Sequence, residues 1–440
     1  MAKIDPGAWL VVCSALVLLM APALALFYAG RAPGANPKSM LIRWLVALPI
    51  LAIQWVLFGY SLAFGPTRHG LIGGLAYAGM TGGITDVRGA VPAIAFAACR
   101  MMFAVIAPAL ISGALGARMK LGAYVAFVLF WSTLVYDPVA HWLWGHGGWL
   151  SRIGAIDFGG GIVVHCTTGV SAVVCALVIA ERPSDPERRT LASALAGAAV
   201  LWFGWSALNA GSALASGIVL GPAFVTTQLG AAGGGLGWLV VEWSQRGRPT
   251  AIGVAYGVVS GLVATTPAAG YVAPSAAVAI GFIAGAVGYG TGLGVVCGLV
   301  AGLLAITAGA GHVEPVMAIA LAGIAGAICY AAVLLKGRFG SPRAPDPFGV
   351  QGVGGLAGAL LTGVFAQKAL NHAGANGALF GNLSQLAVQA VACVAIGAYA
   401  AVGTFVILKL IDATIGLRVP EVRLPEGAEA LAEPPTARAA

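Results

Sequence analysis

The sequence predicts an all-α polytopic membrane protein with about 13 spans, and three observations predict it. Of 440 residues, 59% are hydrophobic and 9% charged, too few charges to wet the surface of a soluble domain. One crossing takes roughly 20 apolar residues, so the chain has room for ten or more with short loops. Runs such as 171–180 and 391–408 lack the period-two alternation of barrel strands, so the spans are helices.

Charged and Gly/Pro-rich breaks set the expected helices at 8–29, 41–64, 91–115, 122–141, 156–180, 191–213, 222–243 and 251–269. Further runs follow at 274–289, 293–309, 315–336, 349–367 and 382–411. The first run follows Lys3 and ends in FYAGRAPG without a cleavage site, which reads as a retained helix rather than a signal peptide. An outside N-terminus puts Arg31, Lys38, Arg43, Arg118, Lys120, Arg182, Arg188, Arg189, Arg246 and Arg248 inside. Lys336, Arg338, Arg343, Lys409, Arg418 and Arg423 join them, against Lys3, Arg68, Arg88, Arg152 and Lys368 outside. The positive-inside rule therefore predicts an N-out, C-in chain. Residues 1–420 form the membrane domain, and 421–440 a short Pro/Ala-rich cytoplasmic tail expected to be disordered.

The 65 glycines lie among alanines inside the apolar runs, a composition that lets helix backbones approach closely. The seven cysteines sit in apolar stretches without metal-ligand spacing and read as small buried hydrophobes. The net charge of +8 includes no basic run long enough for nucleic acid. HExxH and nucleophile–base spacings are missing and the few acids lie near helix ends, so neither an enzyme nor a cofactor is expected.

Two internal echoes stand out. PSAAVAIGFIAGAVGYG from Pro274 aligns without gaps with PVMAIALAGIAGAICYA from Pro315, an offset of about 41 residues. Either two Ala/Gly-rich spans agree by chance, or a local duplication within 274–331 inserted a helix pair. A weaker echo relates IDFGGGIVVH, ending at His165, to APDPFGVQ, ending at Gln351. Inverted repeats of this kind place a substrate path between two halves of a transporter.

LALFYAG (24–30), MMFAVIAPALISGALGAR (101–118), AHWLWG (140–145), IDFGGGIVVH (156–165), NAGSAL (209–214), TPAAGYVAP (266–274), DPFGVQGVGG (346–355) and DATIGLRVP (412–420) together resemble the ammonium transporter (Amt/Mep/Rh) family. They keep the family's order from the first helix to Pro420. The resemblance implies an inverted-repeat bundle of eleven helices, here with an added pair, assembled as a homotrimer with a pore in each protomer. It implies an ammonium, ammonia and methylammonium permease spanning the cell membrane. Two alternatives stay open: a sensor-like relative that binds without transporting, and a less selective small-cation channel.

The family's outer recruitment positions match Phe103, Trp144 and Ser212. Aromatic faces attract a cation shedding water, by roughly 0.5–2 kcal/mol each, and a hydroxyl accepts one of its hydrogens. By position alone, Trp144 with Trp142 and Trp149 reads equally as an interfacial belt, and Phe103 as packing. In the family, the aspartate matching Asp157 is structural, capping its helix and orienting backbone carbonyls. Direct cation binding is the other reading of that acid.

Two pore imidazoles are expected; His165 matches the first, but the second position holds Gln351. Glutamine can line a polar path yet does not titrate, so a proton relay between two imidazoles is lost. His165 by itself also reads as an interhelical hydrogen bond. Leu208 replaces one of two stacked phenylalanines, which loosens the gate beneath the outer site. Cys99-Arg100 replaces Phe-Gln one turn before Phe103. An arginine within a span costs roughly 2.5–3.5 kcal/mol unless it reaches water or a partner. It either faces the vestibule, snorkels to the outer interface or pairs with an acid such as Asp137. The tail lacks the family's distal elements, which removes the ground for expecting a nitrogen-regulatory signalling partner.

Overall fold

The computed structural model describes residues 5–29, 37–82, 87–88, 91–115, 119–179, 191–215, 220–266, 269, 272–290, 312–314, 317, 324, 328, 352–370 and 374–419. Expected span 293–309, most of span 315–336 and of the second repeat copy, Gln351 and the tail from 421 lie outside them. Among the described residues, eight helical stretches are long and apolar enough to cross a membrane, with shorter apolar helices at Ala251–Leu262, Pro274–Ala286 and Val353–Phe365.

The first run divides into α1 (Pro6–Leu18) and α2 (Met20–Ala29). Pro22 supplies no amide to the Leu18 carbonyl, which breaks the helical ladder where the two meet. Next come α3 (Pro37–Gln54), a π turn at Trp55–Gly59 and α4 (Tyr60–Phe64). Two antiparallel hairpins, Thr67–Arg68 with Ile72–Gly73 and Val87–Arg88 with Val91–Pro92, fill the connection to α5 (Ala93–Leu115).

The span predicted at 122–141 runs as α6 (Leu121–Trp131), a π turn at Ser132–Tyr136 and α7 (Asp137–Trp144), followed by short α8 (Trp149–Arg152). Pro138 leaves the Leu134 carbonyl without its usual donor, and Tyr399 Oη donates to that oxygen at 2.7 Å. A sequence-encoded break is thus repaired from a distant helix. The span predicted from 156 begins later, with a π turn at Gly161–Cys166 leading into α9 (Thr167–Ile179). Residues 156–160 are non-helical; Gly160 has φ +96°.

Beyond lie α10 (Leu191–Ala215), α11 (Leu220–Arg246), α12 (Ala251–Thr265), α13 (Pro274–Gly290), α14 (Val353–Phe365) and α15 (Leu383–Thr414). One core cluster joins α3, α5, α6, α7, α9 and α15; another joins α1, α2, α10, α11 and α12. Where lipid replaces water, polar pairs between helices help to fix neighbours. Trp131 Nε1 donates to Ser171 Oγ (3.0 Å) and Thr404 Oγ1 (3.1 Å), tying α6 to α9 and α15. All three residues are fully buried.

In the other cluster, glycine does this work. A Cβ on Gly234 would lie 2.7 Å from Gly261 Cα and against the Gly257 carbonyl; one on Gly281 would run into the Gly230 carbonyl. Helices α11, α12 and α13 therefore meet backbone to backbone. Gly234→Ala should lower stability by about 1–3 kcal/mol through overpacking. Gly122→Ala, where a Cβ meets nothing within 4 Å, should be neutral or gain up to about 1 kcal/mol of helix propensity. Thermal unfolding in detergent compares them; equal midpoints for both variants contradict the seam.

Candidate functional site

Position 103 lies on α5 and position 144 at the C-terminal end of α7. Their rings meet edge to face, with centroids 5.9 Å apart and planes at 75°. This arrangement suits the opposed edge and face charges of aromatic rings. Two contacts set the end of α7. His141 places Nδ1 3.0 Å from the Ala63 carbonyl and Nε2 2.8 Å from Thr67 Oγ1. The carbonyl can only accept, so Nδ1 carries the proton. Trp142 Nε1 donates to the Leu71 carbonyl at 2.7 Å, and its ring packs on Trp149 and Tyr399. With 8% of its surface exposed, Trp142 is a buried strut rather than the belt residue its position suggested.

Trp144 donates Nε1 to the Asp157 carbonyl at 2.6 Å. The carboxylate of the same residue accepts from the amides of Gly160 (3.1 Å), Ile162 (3.1 Å) and Val163 (2.8 Å). These are the free donors at the start of the Gly161–Cys166 turn, where negative charge is favoured. The left-handed Gly160 makes this wrap possible: a Cβ there would sit 2.8 Å from Val164 Cγ2, in a conformation that side chains rarely adopt.

His165 projects from that π turn and is half-buried. Such turns widen a helix locally and recur at functional sites. α14 packs on this turn at Gly355, whose Cβ would lie 2.6 Å from the Gly161 carbonyl and 2.8 Å from the Cys166 amide. Position 351 is four residues before Gly355 in sequence and lies outside the described residues.

Leu208 and Ser212 lie one turn apart on α10, both half-buried, with Leu208 packed on the second core cluster. Between them and α5 stands α1. A Cβ on Gly211 would meet Cys13 Cβ at 3.1 Å and Leu10 Cδ1 at 3.6 Å, while Phe96 and Cys99 pack on the cluster containing Leu10. Phe103, Trp144 and Asp157 are therefore in one contiguous group, whereas Ser212 is related to it through α1.

Arg100 resolves differently from the pairing with Asp137. Its Cζ lies 4.4 Å from the Trp144 ring centroid, 5.5 Å from Phe103 and 5.2 Å from Phe96. The Asp137 carboxylate instead accepts from Gln54 Nε2 at 2.7 Å. Stacking on aromatic faces gives the guanidinium a partner without an acid.

Sequence reasoning missed Gln389. It accepts from the Ile156 amide (2.8 Å) and donates to the Ile156 carbonyl (2.9 Å) and the Ala359 carbonyl (3.1 Å). It thereby anchors the segment before Asp157 to α14 and α15. The available signal was an amide inside a long apolar helix, where a polar group demands partners.

A model of the Ammonium Transporter Family matches residues 8–293 and 290–429. An ammonium transporter of Bacillus subtilis is 39% identical over 416 residues, covering 93% of this chain and 92% of its own. Ammonium transporter 1 of Dictyostelium discoideum is 37% identical over 431 residues, covering 95% and 84%. The crystal structure of Saccharomyces cerevisiae Mep2 superposes with a TM-score of 0.74 at 29% identity, over 95% of this chain and 88% of that one.

Asp157→Ala strips three buried amides of their acceptor and should cost at least about 2 kcal/mol. Asp157→Asn keeps one acceptor oxygen and should cost less. Unfolding midpoints in detergent rank the two, and an unperturbed Asp157→Ala contradicts the capping geometry.

Proposed function

Since the chain belongs to the ammonium transporter family, we propose that it draws ammonium from an outer site at Phe103, Trp144 and Ser212 and conducts it past His165 and Gln351. The protein is a multi-pass membrane permease for ammonium, and each protomer of a homotrimer carries its own path. Asp157 is the observation that carries this assignment. Its carbonyl fixes the Trp144 indole and its carboxylate fixes the turn bearing His165, so one residue registers the recruiting surface with the pore. Its role is structural, because the carboxylate is committed to backbone amides.

The chemistry follows from the groups present. Rings at Phe103 and Trp144 offer their faces to a cation losing water, and the Ser212 hydroxyl accepts a hydrogen. Leu208, on the Ser212 helix, lines a gate with less ring area than a phenylalanine pair. Deeper in, His165 offers an imidazole and Gln351 an amide. Only the first can titrate, so the pair provides polar stepping stones without a two-imidazole proton relay. The N-out, C-in sense and about 13 spans rest on the distribution of arginine and lysine. The inserted pair rests on the echo between the segments from Pro274 and Pro315. Because the tail departs from the family, no nitrogen-regulatory protein is assigned as a partner.

Ammonium-evoked currents and methylammonium uptake in proteoliposomes test the assignment. Trp144→Leu should reduce methylammonium uptake by about two- to thirty-fold, in line with roughly 0.5–2 kcal/mol per cation–ring contact, and Ser212→Ala should reduce it by about ten-fold or less for a lost hydrogen bond. Gln351→His should change rate or selectivity by restoring a second imidazole. No flux from an intact trimer overturns the permease assignment, and potassium replacing ammonium reveals a failed filter.

A further inference from the structure

Arg100 carries a fixed positive charge into the aromatic surface assigned to cation recruitment. Its Cζ sits over Trp144 at 4.4 Å, Phe103 at 5.5 Å and Phe96 at 5.2 Å. Three rings from α5 and α7 thus converge on one guanidinium, and among the described residues no carboxylate pairs with it. The Trp144 indole is held from behind by the Asp157 carbonyl, leaving the ring as the available surface.

A guanidinium is planar and weakly hydrated, so it stacks on such faces at little desolvation cost. Ammonium is compact and seeks the same electron-rich faces. Two cations cannot share them closely, since like charges repel strongly where water is scarce. Arginine has a long flexible stem, and Arg100 is half-buried, so an outward rotamer can release the rings.

We propose that Arg100 is a tethered competitor: its guanidinium occupies the Phe96–Phe103–Trp144 cage, and a small monovalent cation is recruited there only when the side chain swings away. The inference rests on the permease assignment and adds its regulation. A site open for a fraction of the time shows an apparent affinity reduced by that fraction. Arg100 therefore raises the concentration of ammonium at which the protein works.

Methylammonium uptake by proteoliposomes of the full chain, compared with Arg100→Gln and Arg100→Lys, tests this. Arg100→Gln should lower the apparent KM about ten-fold, the scale of one to two cation–π contacts, with a smaller change in maximal rate. Arg100→Lys keeps the charge but loses the planar stack, and should fall between. An unchanged or raised KM in Arg100→Gln overturns the proposal while leaving the permease assignment intact. If Arg100→Gln does not fold, an unchanged KM in Arg100→Lys does the same. If neither chain conducts, the permease assignment fails separately, and calorimetric titration with methylammonium decides the proposal. Tighter binding by Arg100→Gln upholds it, and equal binding overturns it.

Discussion

The arrangement of the site depends on how Asp157 divides its polar atoms. In a bilayer a carboxylate is costly unless every lone pair is used. Here three amides at the start of a helical turn converge on it, and the residue's own carbonyl receives an indole N–H. The charge is thereby spread over backbone dipoles, and two successive elements, α7 and the turn before α9, acquire a fixed relation. Gln389 secures the preceding residue from the opposite side by holding both polar groups of the Ile156 backbone.

Much of this was legible in the sequence because it depends on local rules. An aspartate followed by Phe-Gly-Gly-Gly and an apolar run signals a capped helix start, although Asp157 reaches further than a simple cap and delays the helix to Gly161. Among the described residues, span positions followed from apolar runs and the charged or Gly/Pro-rich breaks between them. The pairing of Phe103 with Trp144 was expected from the resemblance, and composition could not have supplied it. The belt reading of Trp142 failed because periodicity does not reveal that the Leu71 carbonyl lies beneath the indole. Arg100 was ambiguous for a related reason: which rings surround a side chain depends on the approach of α7 to α5. Gln389 and Tyr399 escaped notice because their partners are backbone groups released elsewhere, at Ile156 and by Pro138.

Several basic residues follow the same logic of backbone groups satisfied from afar. Arg43 Nη2 donates to the Met119 carbonyl, Lys120 Nζ to the Ile415 carbonyl and Arg418 Nη2 to the Val178 carbonyl. Lys120 and Arg418 thus close the C-terminal ends of α15 and α9, as cations there are suited to do, while Arg43 satisfies a carbonyl of the segment before α6. Topology and packing are encoded in the same side chains.

The glycine contact among α11, α12 and α13 has a mechanical consequence. Where main chains touch without intervening side chains, rotamers cannot absorb a tilt or a slide. That third of the bundle behaves as a stiff keel. Adjustments that accompany passage of an ion are left to side chains elsewhere, such as the long stem of Arg100 over the fixed Trp144 ring.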